Sequence, residues 1–289
     1  MEIKGCGTAL ATPFRDGKVD YEAYSRLVIR QRDAGMHFLV PLGSTAETPC
    51  LEDDEKCRLL SITRELCPDI PLVAGVGTNS PAATIRNIRM LEGYGPDAWL
   101  VVVPYYNKPT QEGIYQYFKA IAASTSKGIV AYNVPGRTGS NMTAETALRV
   151  AGIPGVIAVK EASGKLDQIR EIVEGRSGGF KVFSGNDDQT LQIMGFGGDG
   201  VISVASNVAP VQMVRFVEAL MSGDMEAAGE WERKLMPLFD ACFVESNPIP
   251  AKAALSIFGL CTPEMRLPLT DAVPSTFDAM KRVLVDLGL

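Results

Sequence analysis

The run Val156-Ile157-Ala158-Val159-Lys160-Glu161 reaches a lysine after four apolar residues. Apolar neighbours disfavour an ammonium by desolvation, which lowers the pKa and exposes a nucleophilic amine. The competing reading is a strand-end lysine that carries its charge out to solvent on an apolar stem. A second run, Ile129-Val130-Ala131-Tyr132-Asn133-Val134-Pro135, sets a tyrosine at the corresponding level. A phenol beside an amine can pass protons while a carbinolamine forms and dehydrates. Equally, Tyr132 can be a core tyrosine with a satisfied hydroxyl. Arg137, in the turn Gly136-Arg137-Thr138-Gly139, either grips a substrate carboxylate with two parallel N–H donors or is a surface charge. Gly43-Ser44-Thr45-Ala46-Glu47 offers two hydroxyls and successive backbone N–H groups. These can hold a carboxylate, cap a helix, or do both. Pro104-Tyr105-Tyr106-Asn107-Lys108-Pro109 is an aromatic-rich loop, and in Ser184-Gly185-Asn186-Asp187-Asp188 the glycine lets a ligand approach the backbone closely.

Other chemistries fit poorly. His37 is the one histidine, which argues against zinc sites of the usual kinds and histidine-dependent triads unless His37 itself serves. Asp53-Asp54 and Asp187-Asp188 stand where helices begin, so the helix dipole explains them better than a metal does. Gly195-Phe196-Gly197-Gly198-Asp199-Gly200 spells a dinucleotide fingerprint, but it precedes a strand instead of coming after one. A net charge of −6 gives no phosphate-tracking surface, so no nucleic-acid partner is expected. No apolar run is long enough to span a bilayer, and Met1-Glu2-Ile3-Lys4-Gly5 does not read as a signal peptide. The six cysteines form no CxxC pair and read as reduced thiols of a cytoplasmic protein.

The reactive residues share a setting. Short apolar runs recur at Gly7–Pro13, Phe38–Leu42, Leu72–Gly75, Trp99–Val103, Ile129–Asn133, Val156–Lys160, Lys181–Ser184 and Val201–Val204. Most are apolar at consecutive positions, as in parallel strands buried on both faces. Between them lies helical spacing, such as Ile114, Phe118 and Ile121, or Met213, Phe216, Val217 and Leu220. Ser80-Pro81 and Thr143-Ala144-Glu145 are helix starts. Eight strand–helix units favour closure into a (β/α)8 TIM barrel over an open doubly wound sheet. In such barrels reactive groups stand at the C-terminal ends of strands, where Lys160 and Tyr132 fall. After Gly223 come three helical segments, roughly 224–242, 248–258 and 273–287, the last striped by Phe277, Met280, Leu284 and Leu287. The expected organisation is a barrel over 1–223 carrying the active site and a C-terminal helical appendage over 224–289.

Six segments in register resemble the dihydrodipicolinate synthase / N-acetylneuraminate lyase family of pyruvate-dependent class I aldolases. They are Gly43–Glu47, Pro104–Pro109, Tyr132–Gly139, Val159–Ala162, Gly185–Asp187 and Glu245-Ser246-Asn247-Pro248-Ile249-Pro250. The resemblance implies an imine between Lys160 and pyruvate, with no cofactor beyond it. It also implies a proton relay through Tyr132, Thr45 and Ser44, completed by Tyr106 of a neighbouring subunit in a homotetramer built as a dimer of dimers. Arg137 would bind the carboxylate of aspartate 4-semialdehyde, and Gly185 and Ile202 would supply backbone contacts near the imine. The product would be 4-hydroxy-tetrahydrodipicolinate, on the route to lysine and diaminopimelate. Ser44 stands where the synthase branch more often has threonine, which leaves open a sister lyase acting on N-acetylneuraminate or a keto sugar acid. A non-catalytic keto-acid-binding relative is a further alternative, disfavoured because all the reactive side chains are present. At the place where lysine inhibits some members, Asn79 and Tyr105 remain while Asp53, Lys56 and Ala83 stand for other types, so weak or absent lysine inhibition is expected.

Overall fold

Strands form where the consecutive apolar runs lie: β1 (Gly5–Ala9), β2 (Phe38–Val40), β3 (Val73–Gly75), β4 (Ala98–Val102), β5 (Gly128–Asn133), β6 (Val156–Glu161), β7 (Lys181–Ser184) and β8 (Gly200–Ser203). The computed structural model describes residues 2–289, so Met1, the first residue of the N-terminal reading, lies outside the described residues. Every ladder of this sheet is parallel, in the order β2-β1-β8-β7-β6-β5-β4-β3. A parallel bridge between Leu39 and Leu72 joins the two ends and closes the ring.

The helices that pack outside the ring alternate with its strands: α1 (Tyr21–Asp33), α2 (Asp53–Leu66), α3 (Pro81–Leu91), α4 (Gln111–Ala122), α5 (Ala144–Ala151), α6 (Leu166–Gly175), α7 (Thr190–Gly195) and α8 (Pro210–Ser222). Asp20, Ser80, Thr110 and Thr143 cap their helices by accepting a first-turn N–H, as short polar side chains do. Three helices complete the chain: α9 (Met225–Ala241), α10 (Ile249–Ile257) and α11 (Pro274–Leu287), with α9 against α8 and α11, and α10 against α11.

The first strand ends sooner than the sequence predicts. Pairing stops at Ala9, because the Ala11 N–H is taken by Asn207 Oδ1 instead of a neighbouring strand. The chain then makes a two-residue antiparallel hairpin, Phe14–Arg15 with Lys18–Val19. Asp16 and Gly17 supply its two positive φ angles, 51° and 75°, as a tight hairpin turn requires.

Three clusters of buried apolar residues result. The largest fills the space between strands and helices; a second fills the barrel and includes Phe38, Val40, Leu100, Val130, Ala158, Phe183 and Ile202; a small third joins Ala11, Ala23, Leu27, Leu255 and Cys261. A bulge in β6 decides which face Lys160 takes. Ile129 pairs with Val156, but Val130 pairs with Ala158, leaving Ile157 unpaired and half-exposed. The extra residue turns Ala158, Lys160 and Ala162 into the barrel and sets Lys160 level with Tyr132, also on the interior face.

Candidate active site

At the C-terminal mouth of the barrel lies a cleft, partly open to solvent, lined by Lys160 and Tyr132. Lys160 is only 5% exposed, and no described residue hydrogen-bonds its amine. Instead Nζ rests 4.4 Å from the centre of the Tyr132 ring. Burial pulls the lysine down to about 8; the carboxylate of Asp187 opposes that shift and Arg137 assists it. The ammonium is thus disfavoured where a nucleophilic amine is wanted, and the reading of Lys160 as a solvent-seeking charge does not hold. Burial also pushes the Tyr132 phenol up to about 12, so near neutral pH it carries its proton and can donate it.

Ser44, Thr45, Arg137 and Gly185 line the same cleft. Thr45 is buried, with Oγ1 accepting a hydrogen bond from Asn247 Nδ2 at 2.9 Å. Ser44 is exposed at the rim. The turn that carries them is bracketed by Leu42 and Glu47, at φ of 59° and 53°. Such left-handed non-glycine residues cost about 1–3 kcal/mol each and persist only where their surroundings over-determine them. Here the surroundings are the Glu47–Lys252 ion pair at 2.8 Å and the Arg266 N–H on Glu47 Oε2 at 3.0 Å. Arg137 lies on a single helical turn, Pro135–Thr138, exposed at the mouth, with Nη2 donating to the Asn247 carbonyl at 3.3 Å.

Gly185 comes directly after β7, with its N–H on the Glu161 carbonyl at 2.7 Å. A Cβ at this position would lie 2.7 Å from Ala162 Cβ and 3.0 Å from Lys160 Cε. Gly185→Ala is therefore expected to displace the amine. Overpacking of this kind typically costs about 1–3 kcal/mol. Steady-state assays should find kcat reduced at least tenfold, by order of magnitude, with the fold retained by circular dichroism. An unchanged kcat would show that the amine position is not set here.

Two sequence candidates stand elsewhere. Ile202 is buried inside the barrel, and it is Val204, two residues on, that lines the cleft. Tyr106 is 87% exposed at φ 72°, its N–H held by the Thr138 carbonyl at 3.2 Å, and its side chain does not line the cleft of its own chain. Asp187 also differs from its reading as a helix-dipole carboxylate. It opens a short 3-10 turn, but Oδ2 accepts the N–H groups of Val204 and Ala205 at 3.0 and 2.9 Å, pinning the end of β8. Sequence reasoning gave no role to Asn186, Phe243 and Asn247, which line the cleft, the last two from beyond residue 223. The Asn247-Pro248 pair preceding α10 was visible, but a contact with Thr45 across 202 positions was not.

A closed parallel barrel with a buried, weakly basic lysine on its sixth strand, a phenol against it and an arginine at its rim has the make-up of a class I aldolase barrel. The model of the Dihydrodipicolinate synthetase family matches residues 2–286. The 4-hydroxy-tetrahydrodipicolinate synthase of Thermotoga neapolitana is 49% identical over 292 aligned positions, covering 99% of both chains. The crystal structure of dihydrodipicolinate synthase from Thermotoga maritima superposes with a TM-score of 0.96 at 48% identity, covering 99% of this chain and 98% of that one. That of the Acinetobacter baumannii enzyme, in complex with pyruvate, gives a TM-score of 0.97 at 36% identity, covering 99% of each. The chain belongs to the Dihydrodipicolinate synthetase family.

Proposed function

We propose that this chain condenses pyruvate with aspartate 4-semialdehyde to 4-hydroxy-tetrahydrodipicolinate, in lysine and diaminopimelate biosynthesis, through an imine on Lys160. The observation that carries this is the Lys160 amine, buried and lowered to about 8, on the face of Tyr132. The neutral amine attacks the keto carbon of pyruvate. Tyr132, through Thr45 and Ser44, returns a proton to the carbinolamine hydroxyl, which leaves as water. Loss of a methyl proton converts the imine to an enamine. Its carbon attacks the aldehyde of the second substrate, whose carboxylate Arg137 holds. The substrate amine then attacks the imine carbon, closes the ring and releases Lys160. No cofactor enters these steps beyond the covalent imine.

The exposed phenol of Tyr106 suits a position in a neighbouring subunit's cleft, within a homotetramer assembled as a dimer of dimers. Six free thiols fit a reducing cytoplasm, and no described helix is long and apolar enough to cross a membrane. A coupled assay discriminates the substrates: pyruvate and aspartate 4-semialdehyde should be consumed together, and N-acetylneuraminate should not be cleaved. Cleavage of the sugar acid with no condensation would favour the sister-lyase reading instead.

Two further outcomes are expected. Pyruvate-dependent imine formation should rise by about tenfold per pH unit below 8, because only the neutral amine attacks, and level off above it. A profile flat from pH 6 to 9, on the order of a twofold change or less, would show the amine is not titrating there. Lysine should inhibit weakly or not at all, since Asp53 and Lys56 are themselves altered positions and pair with each other at 2.9 Å; tight inhibition at micromolar lysine would overturn this.

A further inference from the structure

Asn247 stands between the Thr45 hydroxyl and the Arg137 guanidinium of the cleft. It is 5% exposed, it comes from the segment before α10, and it lines the cleft. Nδ2 donates to Thr45 Oγ1 at 2.9 Å, and its carbonyl accepts from Arg137 Nη2 at 3.3 Å. Its Oδ1 is buried with no hydrogen-bond partner among the described residues. A buried amide oxygen left unpaired is costly, and at the wall of a binding cleft it marks a place for a ligand's donor.

The chemistry of the second substrate supplies that donor. Aspartate 4-semialdehyde carries an ammonium on the same carbon as the carboxylate that Arg137 would take. A carboxylate on this guanidinium lies beside Asn247, so the ammonium falls within its reach. None of the residues lining the cleft is Asp or Glu, so an ammonium there must be met by neutral acceptors. We propose that Asn247 is the specificity residue for the amino group of the second substrate: Oδ1 accepts from the α-ammonium while Nδ2 fixes the Thr45 hydroxyl. With Thr45 Oγ1 accepting from the amide, its own proton stays free to pass toward Tyr132 and Lys160. One residue thereby links recognition of the amino acid to orientation of the relay. The inference rests on aspartate 4-semialdehyde being the second substrate.

The test compares two aldehydes on two variants of the full-length enzyme. The second aldehyde is 4-oxobutanoate, the same carbon chain without the amino group, used as a competitive inhibitor. In Asn247→Ala, KM for aspartate 4-semialdehyde should rise roughly ten- to a hundredfold, the loss of a hydrogen bond to a charged group. The inhibition constant for 4-oxobutanoate should stay within about twofold of wild type, and the borohydride-trapped pyruvate adduct should still form on Lys160, but more slowly, because the Thr45 hydroxyl has lost its amide partner. In Asn247→Asp, KM should return to near the wild-type value while kcat remains low, because the carboxylate still accepts from the ammonium but claims the Thr45 proton. An unchanged KM in Asn247→Ala overturns the proposal, as does an equal loss for both aldehydes, which would mean a merely structural role. Absence of any condensation by the wild-type enzyme would instead overturn the underlying substrate reading.

Discussion

Replacing Lys160 by methionine is expected to reduce kcat by at least roughly a thousandfold while making the protein more stable near neutral pH. The two effects share a cause. The amine is buried, makes no hydrogen bond within the described residues, and has only the Tyr132 ring face beneath it. Its pKa falls from 10.5 to about 8 on folding, which corresponds to about 3 kcal/mol set against the folded state. The unfolded chain holds this proton more tightly than the folded one, so the deficit is absent above 10.5 and complete below about 8. Methionine has similar bulk and no charge to desolvate, so Lys160→Met should gain about 1–3 kcal/mol at pH 7, a rise of several degrees in Tm. That gain should shrink as the pH is raised from 8 toward 10.5. Thermal unfolding across this range reads it directly, and a variant that loses stability together with activity would show that the amine holds the fold instead of burdening it.

The second large effect lies outside the cleft. Lys252 and Glu47 form an ion pair at 2.8 Å whose side chains are 0% and 1% exposed, with the ammonium also 4.3 Å from the Phe14 ring centre. Lys252→Met leaves the Glu47 carboxylate buried with the Arg266 N–H as its remaining hydrogen bond. Breaking one side of such a pair costs about 3–5 kcal/mol. Replacing both partners by apolar residues of similar volume should recover most of it, since the desolvation of both charges is then avoided. Urea unfolding of Lys252→Met, Glu47→Leu and the double variant checks this; a double variant no more stable than Lys252→Met would contradict it. Activity should track stability only in part. Glu47 closes the strained turn holding Ser44 and Thr45, so even the recovered double variant should show a lower kcat.

The sequence was most legible where burial acts on consecutive residues. Eight parallel strands buried along most of their length leave eight apolar runs, and seven of them lie within a residue or two of the observed strands. The exception, Gly7–Pro13, continued apolar past Ala9 because Leu10 joins the core between strands and helices and Ala11 packs with Ala23 and Leu27 of α1 and with Leu255 and Cys261, outside any strand ladder. The first and last of the three C-terminal helices were equally plain, since each keeps an apolar stripe, whereas α10 is buried on every side from Ile249 to Leu255. Lys160 and Tyr132 were found because they interrupt apolar runs, although the bulge at Ile157 that aligns them leaves no mark in composition. Contact across long sequence separation was hidden: Asn247 with Thr45, Lys252 with Glu47, and Asp187 with the end of β8. These are single polar pairs formed by closure of the barrel and docking of its last helices. Periodicity carries no information about them. The expectation that residues 1–223 hold the active site likewise missed Phe243 and Asn247, which the packing of α9 and α10 brings over the mouth.

The imine remains the centre of the chemistry, and one measurement addresses it. The protein is incubated with pyruvate, reduced with borohydride, digested and mapped by mass spectrometry. The expected result is one stable adduct, on the peptide carrying Lys160, lost in Lys160→Met. An adduct confined to another lysine, or none at all from a folded protein that condenses both substrates, would contradict it.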